Sequence, residues 1–129
     1  FDSECSWIEE DHSPASLVVV SSAAKIGGEW RFMVADRKVI DGSRYRLDGK
    51  LSIEHSFPKK AELLAQEIAS FSAEKWEPDP MWVIDICKSG GSYHLLELNS
   101  FSCAGWYAMD PAIIVREASR LAELGLALL

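Results

Sequence analysis

The 129-residue chain is 48% hydrophobic and 26% charged, with a formal net charge of −7. That is the composition of one globular domain with enough residues to bury a core, and its acidity argues against a nucleic-acid or anionic-membrane surface as the main partner. No apolar run is long enough to span a bilayer and no signal peptide is expected. The three cysteines, Cys5, Cys87 and Cys103, lack metal spacing and fit reduced thiols in a cytoplasmic protein.

Residues 1–16 are acidic and broken by Pro14, with Trp7-Ile8 an anchor at most and Glu9-Glu10-Asp11 a solvated face. The β-branched run Leu17 to Ser21 predicts a buried strand. A loop ending in Gly27-Gly28 follows. From Glu29 to Ala35 the side chains alternate: Trp30, Phe32 and Val34 share one face, and Glu29, Arg31 and Met33 the other. An arginine beside an acid on one strand face reads either as a salt bridge or as a binding group.

Asp36-Arg37 turns the chain into a second strand, residues 38–46. A three-residue turn brings Ser43 and Tyr45 to Arg31's side; a two-residue turn brings Arg44 and Arg46. Leu47-Asp-Gly-Lys-Leu is read as a turn. Pro58 opens a helix over residues 59–74 whose core face carries Ala61, Leu64, Ile68 and Phe71, and Glu77-Pro-Asp-Pro ends it.

Two apolar runs, residues 81–87 and 93–98, flank Ser-Gly-Gly-Ser and form a predicted β-hairpin. Asp85, Glu97 and Asn99 interrupt these otherwise apolar strands. With an odd loop centred on Gly91, Asp85 lies opposite Glu97; a two-residue Gly90-Gly91 turn would send it to the other face. The odd loop is the expectation. It gathers two carboxylates and an amide oxygen, a hard donor set suited to Mg²⁺ or Mn²⁺, where Mg²⁺ takes one or two carboxylates plus substrate phosphates. The plain alternative is an edge hairpin with its polar face in water.

Beyond Asn99, small residues and a glycine suit a loop that contacts the acceptor substrate, and the pair Trp106-Tyr107 is read in preference as core anchors for the last helix. Cys103 in this loop has no histidine set beside it by any motif and is not expected to be a nucleophile. Asp110-Pro111 starts that helix, with Ile113, Ile114, Ala118, Leu121 and Leu124 packing under the sheet. His94 is set against Glu97 and Asn99 by strand parity and is not counted as a ligand.

Val83-Ile-Asp-Ile, a glycine turn and Leu95-Leu-Glu-Leu-Asn-Ser resemble the metal-binding hairpin of the ATP-grasp superfamily, and Glu29-Trp-Arg resembles that family's E/D-x-R strand. The two motifs stand in the family's order. The resemblance implies an α+β fold, an ATP-grasp C-terminal lobe with an antiparallel β-sheet backed by helices. It implies Asp85, Glu97 and Asn99 as metal ligands and Arg31 as the catalytic residue, contacting the γ-phosphate or the acyl-phosphate. By spacing it carries the adenine-binding hinge onto Val19, Val20, Ser21 and Ser22, and it leaves Arg44 or Arg46 as a further basic contact. The cofactors implied are ATP and Mg²⁺ (or Mn²⁺).

The chain opens on Phe1 and shows no candidate for the earlier lobe whose lysines hold the α- and β-phosphates. Residues 1–129 are therefore expected to be the C-terminal portion of an ATP-grasp domain, packing against an upstream lobe, with self-association left open. The function implied is ATP-dependent ligation of a carboxylate to an amine through an acyl-phosphate, on small-molecule or peptide substrates. The alternatives are a nucleotide-binding regulatory or adaptor protein with the same fold, and an interaction domain in which the acids are merely solvated.

Overall fold

The computed structural model describes residue 20 and residues 22–75 and 79–126. Its elements are β1 (Ile26–Ala35), β2 (Lys38–Leu47), β3 (Lys50–Glu54), α1 (Lys59–Lys75), β4 (Met81–Ser89), β5 (Ser92–Ser100), a 3₁₀ turn (Phe101–Cys103) and α2 (Pro111–Leu126). The predicted strand at Leu17 to Ser21 lies outside the described residues except for Val20, which is exposed.

The strands form one antiparallel sheet in the order β3-β2-β1-β4-β5. β1 and β4 are central and buried along almost their whole length, as their runs of apolar residues require. β3 is a short, charged edge strand that follows the Asp48-Gly49 turn and that the turn reading of this segment does not include.

Side-chain alternation on β1 and β4 divides the core in two. Trp30, Phe32, Val34, Trp82, Ile84 and Ile86 pack on the α1 face, and Met33, Ala35, Met81 and Val83 on the α2 face. α1 meets the sheet through Ala61, Ala65 and Ala69, all fully buried, with Leu64 and Ile68 at the flanks. Phe71, expected on the core face, is instead 64% exposed. The small alanine stripe lets the helix backbone approach the sheet closely, and that rotation turns the larger side chains to the edges.

α2 begins as expected: the Asp110 carboxylate accepts a hydrogen bond from the Ala112 N–H at 2.8 Å, and Pro111 occupies the first helical position. Ile114, Ala118 and Leu121 join Met33 and Val83 beneath the sheet. This cluster covers one end of the α2 face, where Met33, Ala35 and Val83 lie. The other end, around Arg31 and Asp85, is left for polar side chains.

Four strand irregularities decide where those side chains point. Across β1 the unpaired residues are Ile40 and Tyr45 on β2, and Gly27 on β1 itself; on β5 it is Leu96. Each is one extra residue opposite an uninterrupted partner strand, the signature of a β-bulge.

Candidate functional site

Arg31 is the centre of the polar end. Its Nε and Nη2 donate to the two Asp85 carboxylate oxygens at 2.7 and 2.6 Å, a bidentate pair with both side chains under 10% exposed. β1 and β4 set this pair by direct register, Arg31 opposite Asp85. Nη1 reaches the Gly105 carbonyl at 3.4 Å. Glu97 Oε1 lies 3.5 Å from Nη2.

Glu97 stands directly across from Asp85, as expected, but through a different geometry. The turn is the two-residue Gly90-Gly91, with positive φ at both positions, and Ser89 pairs with Ser92. Left alone, that turn would place Glu97 on the opposite face. Leu96, bulged out of register, restores it. Asn99, two residues on and opposite Val83, shares the face. The same bulge returns His94 to this face, opposite Cys87, which corrects the parity reading; its ring lies 3.3 Å from the Ser89 carbonyl.

β2 resolves its open alternatives in a similar way. Asp36-Arg37 is a two-residue turn with positive φ at both positions, yet the bulge at Ile40 sets Ser43 opposite Arg31. Tyr45, bulged in turn, sends its hydroxyl into the site, where it donates to Glu29 Oε2 at 2.9 Å and lies 3.4 Å from Asp85 Oδ2. Arg46 then sits opposite Glu29, with Nη1 3.7 Å from Oε1. Arg44 is opposite Trp30 and is occupied by Glu54 and the Ser52 carbonyl. Arg46 therefore belongs to the site and Arg44 does not.

The Tyr107 ring stacks on Tyr45 at 4.9 Å and 10°, and the Arg31 guanidinium lies 5.2 Å from its centroid. Tyr107 holds φ +53, a left-handed conformation that non-glycine residues adopt at a cost. Sequence reasoning pairs it with Trp106 as a core anchor. That holds for Trp106, which packs in the α2-side core and stacks on Phe101. Tyr107 is a site residue instead, in the loop whose small residues also suit a substrate contact.

The electrostatics follow from this crowding. The Asp85 hydrogen bond, set against burial, holds Arg31 firmly protonated. Burial, then the charge of Asp85 and the bond to Glu29, pushes the Tyr45 hydroxyl well above its ordinary range, so it remains a donor. Burial first, then the nearby Asp85, raises Glu97, against the lowering pull of Asn99 and Arg31. The site opens as a cleft of ≈ 490 Å³ lined by Glu29, Arg31, Tyr45, Arg46, Asp85 and Glu97 among others.

A family profile described as an ATP-grasp domain, the second family of one clade of that superfamily, matches residues 2–116. The chain belongs to the ATP-grasp superfamily. Its α+β architecture, an antiparallel sheet with a helix on each face, is that of an ATP-grasp lobe. No curated protein and no solved structure matches the chain closely enough to add a relative.

Val19 and Ser21 of the hinge lie outside the described residues, while Val20 and Ser22 are exposed chain ahead of β1. Cys103 is exposed on the 3₁₀ turn and Cys87 is buried in β4; both are free thiols. No helix among the described residues is long and apolar enough to cross a membrane.

The donor set can be tested against a divalent ion. Among the described residues no three His, Cys, Asp or Glu side chains gather as a self-sufficient metal site. What the site offers is two opposed carboxylates and an amide, the number Mg²⁺ uses when phosphates complete its shell. Arg31 donates one hydrogen bond to each Asp85 oxygen and the Tyr45 hydroxyl lies 3.4 Å from Oδ2, and a carboxylate has about four lone-pair directions, so acceptor capacity remains. Glu97, its side chain 53% exposed and its proton affinity raised beside Asp85, is a group a cation would favour. The residues fit such an ion.

Proposed function

We propose that this ATP-grasp chain carries the metal- and phosphate-facing side of an ATP-dependent ligase that joins a carboxylate to an amine. The observation that carries this reading is the convergence of Arg31, Asp85 and Glu97 at the floor of one open cleft. In the reaction the substrate carboxylate attacks the γ-phosphorus and ADP leaves. The amine nitrogen then adds to the acyl carbon, and phosphate departs with a proton lost from nitrogen.

Asp85, Glu97 and Asn99 would hold Mg²⁺, which when bound neutralises charge on the phosphates and orients the transfer. Arg31 is the catalytic cation. Its planar fork, fixed by Asp85 and covered by the two tyrosines, is ordered before the substrate arrives, and Nη1 is the donor left least engaged, toward Gly105. Tyr45 and Glu29 hold Asp85 and Arg46 in place around it. Val19 to Ser22 would meet the adenine edge. Residues 1–129 act as the C-terminal portion of the domain, with an upstream lobe supplying the remaining phosphate contacts and small-molecule or peptide substrates entering between them in the cytoplasm.

One observation favours a nucleotide-binding adaptor without ligation: two of the three Arg31 nitrogens are already committed to Asp85. A thermal-shift titration with Mg²⁺-ATP on the protein with its native upstream residues, followed by phosphate release across carboxylates and amines, separates the readings. A magnesium-dependent stabilisation of about 2.7 kcal/mol at 100 times the dissociation constant, lost in Glu97→Gln and accompanied by phosphate release, is expected. Stabilisation with no phosphate release on any substrate pair selects the adaptor. No stabilisation overturns both.

A further inference from the structure

The sheet carries a second cleft, on the face away from Arg31. Lys88 stands opposite both Gly28 and Tyr93, and alternation along β1 puts Gly28 and Trp30 on the α1 side. Pro58, just ahead of α1, also lines the cleft. The space is ≈ 450 Å³, within the range of small-molecule pockets.

Its floor is shaped by a glycine. A Cβ at Gly28 would meet the outer edge of the Trp30 ring at 2.6 Å, so the indole, itself 7% exposed, takes the space that a side chain there would fill. Tyr93 meets Trp30 edge to face at 5.8 Å and 63°, giving two aromatic walls at an angle. Lys25 and Lys88 stand at the rim. The Lys88 ammonium lies 5.9 Å from the Tyr93 ring centre, and neither lysine has a carboxylate within ion-pair distance among the described residues. In a chain of net charge −7, Lys25 and Lys88 gather two ammoniums beside one aromatic floor, set against the Asp48 carboxylate, whose Oδ1 lies 3.8 Å from where a Gly27 Cβ would stand.

We propose that this cleft binds a planar aromatic anion, the ring lying against Trp30 and Tyr93 and a carboxylate or phosphate held by Lys25 and Lys88. Apolar ring faces supply contact area, and the two lysines supply orientation and charge. The site stands on different residues and a different face from the ATP-grasp cleft, so its occupancy needs neither metal nor Glu97.

The test is an amide-resolved NMR titration of the whole chain in EDTA with indole-3-acetate and with adenosine monophosphate, and with indole and adenosine as uncharged controls. Shifts at the Gly27, Gly28, Gly90 and Gly91 amides and at the Trp30 indole N–H are expected. Affinity should fall about tenfold or more for the uncharged controls and in the Lys25→Ala/Lys88→Ala double variant. It should be kept in Lys25→Arg/Lys88→Arg and in Glu97→Gln. The tighter of the two probes identifies the source of the anion, carboxylate or phosphate. Absence of shifts with both probes, an unchanged affinity in the double alanine variant, or shifts confined to Arg31 and Glu97 would overturn the proposal. The lysines are exposed, and a melting temperature equal to wild type certifies that the double variant is folded.

Discussion

Asp85 faces Glu97 across β4 and β5 because Leu96 is an extra residue in β5. A regular ladder from the Gly90-Gly91 turn would pair Asp85 with Leu96 and turn Glu97 toward α1. One bulged residue on an edge strand therefore assembles the two carboxylates, and it does so beside Arg31, which already holds one of them. The pair is unequal. Asp85 is almost fully buried and compensated; Glu97 is half-exposed and carries an acid strength weakened by burial and by Asp85.

That inequality has a sign in pH. A carboxyl whose folded-state pKa lies above its unfolded value binds its proton more tightly in the fold. Raising pH through the window between the two values therefore removes stability. For Glu97 the window opens near the unfolded value, about 4.3, and extends upward. Glu97→Gln should be more stable than wild type at pH 7 by less than about 1 kcal/mol, because half-exposure screens the effect. The two should converge as pH falls below about 4. Melting curves across this range decide it, and a wild-type advantage that grows with pH would contradict the raised affinity.

Truncating Asp85 has a different consequence. Among the described residues, Asp85→Ala leaves the buried Arg31 guanidinium with Glu97 at 3.5 Å and the Gly105 carbonyl at 3.4 Å as polar contacts, beside the two tyrosine rings. Loss of one partner of a buried pair costs about 3–5 kcal/mol, whereas replacing both partners by apolar residues costs far less. Urea unfolding of Asp85→Ala beside Arg31→Met/Asp85→Leu should show that recovery. A single-variant cost under about 1 kcal/mol would mean the pair is solvated. Activity lost in Asp85 variants must accordingly be separated from lost fold, and Glu97 is the cleaner probe of the cleft.

What is legible in the chain follows the range of the interactions involved. The division of β1 into Trp30, Phe32 and Val34 against Glu29, Arg31 and Met33 is local alternation, and it holds. Asp110 and Pro111 cap α2 through bonds within three residues, and they hold too. The opposition of Asp85 and Glu97 follows in sequence from a loop that does not exist: the glycine pair makes a tight turn, and the compensating bulge has no signature in Leu95-Leu96-Glu97. Ala61, Ala65 and Ala69 are outweighed in the sequence by Leu64, Ile68 and Phe71, because periodicity shows which residues can face the core and not which fit beneath a sheet. Tyr107 reaches Arg31 across 76 positions, a contact only tertiary structure reveals.

Tyr107 offers a test of backbone strain against ring contact. At φ +53 a side chain with a Cβ carries a left-handed cost of about 1–2 kcal/mol, which glycine escapes. Both Tyr107→Ala and Tyr107→Gly lose the stack on Tyr45 and the contact with Arg31. The glycine variant should nonetheless be the more stable of the two by about 1 kcal/mol, measured by urea unfolding. Tyr107→Phe, which keeps both ring contacts, should match wild type. A glycine variant less stable than alanine would show that the loop relaxes out of this conformation once the ring is gone.

The loop bearing Tyr107 is tied to the sheet by Asp41. Its Oδ1 accepts from the Gly42 N–H at 2.8 Å and lies 2.8 Å from His55 Nε2, while Oδ2 accepts from the Asp110 N–H at 2.7 Å. Asp110 in turn caps α2. Asp41 is 7% exposed, so its removal leaves buried or half-buried N–H groups without acceptors. Asp41→Ala should cost about 2–4 kcal/mol, since each donor left unpaired contributes about 1–3. Asp110→Ala, which removes a single exposed cap, should cost about 1. Because the tie also sets the end of the Tyr107 loop, where Asp110 leads into α2, Asp41→Ala should weaken Mg²⁺-ATP binding in the thermal-shift titration while Asp110→Ala spares it. Equal unfolding midpoints for the two variants would show that the loop is held without Asp41, by the Tyr45–Tyr107 stack, the Ala108 N–H bond to Ser43 Oγ at 3.2 Å and the Arg31 bond to the Gly105 carbonyl.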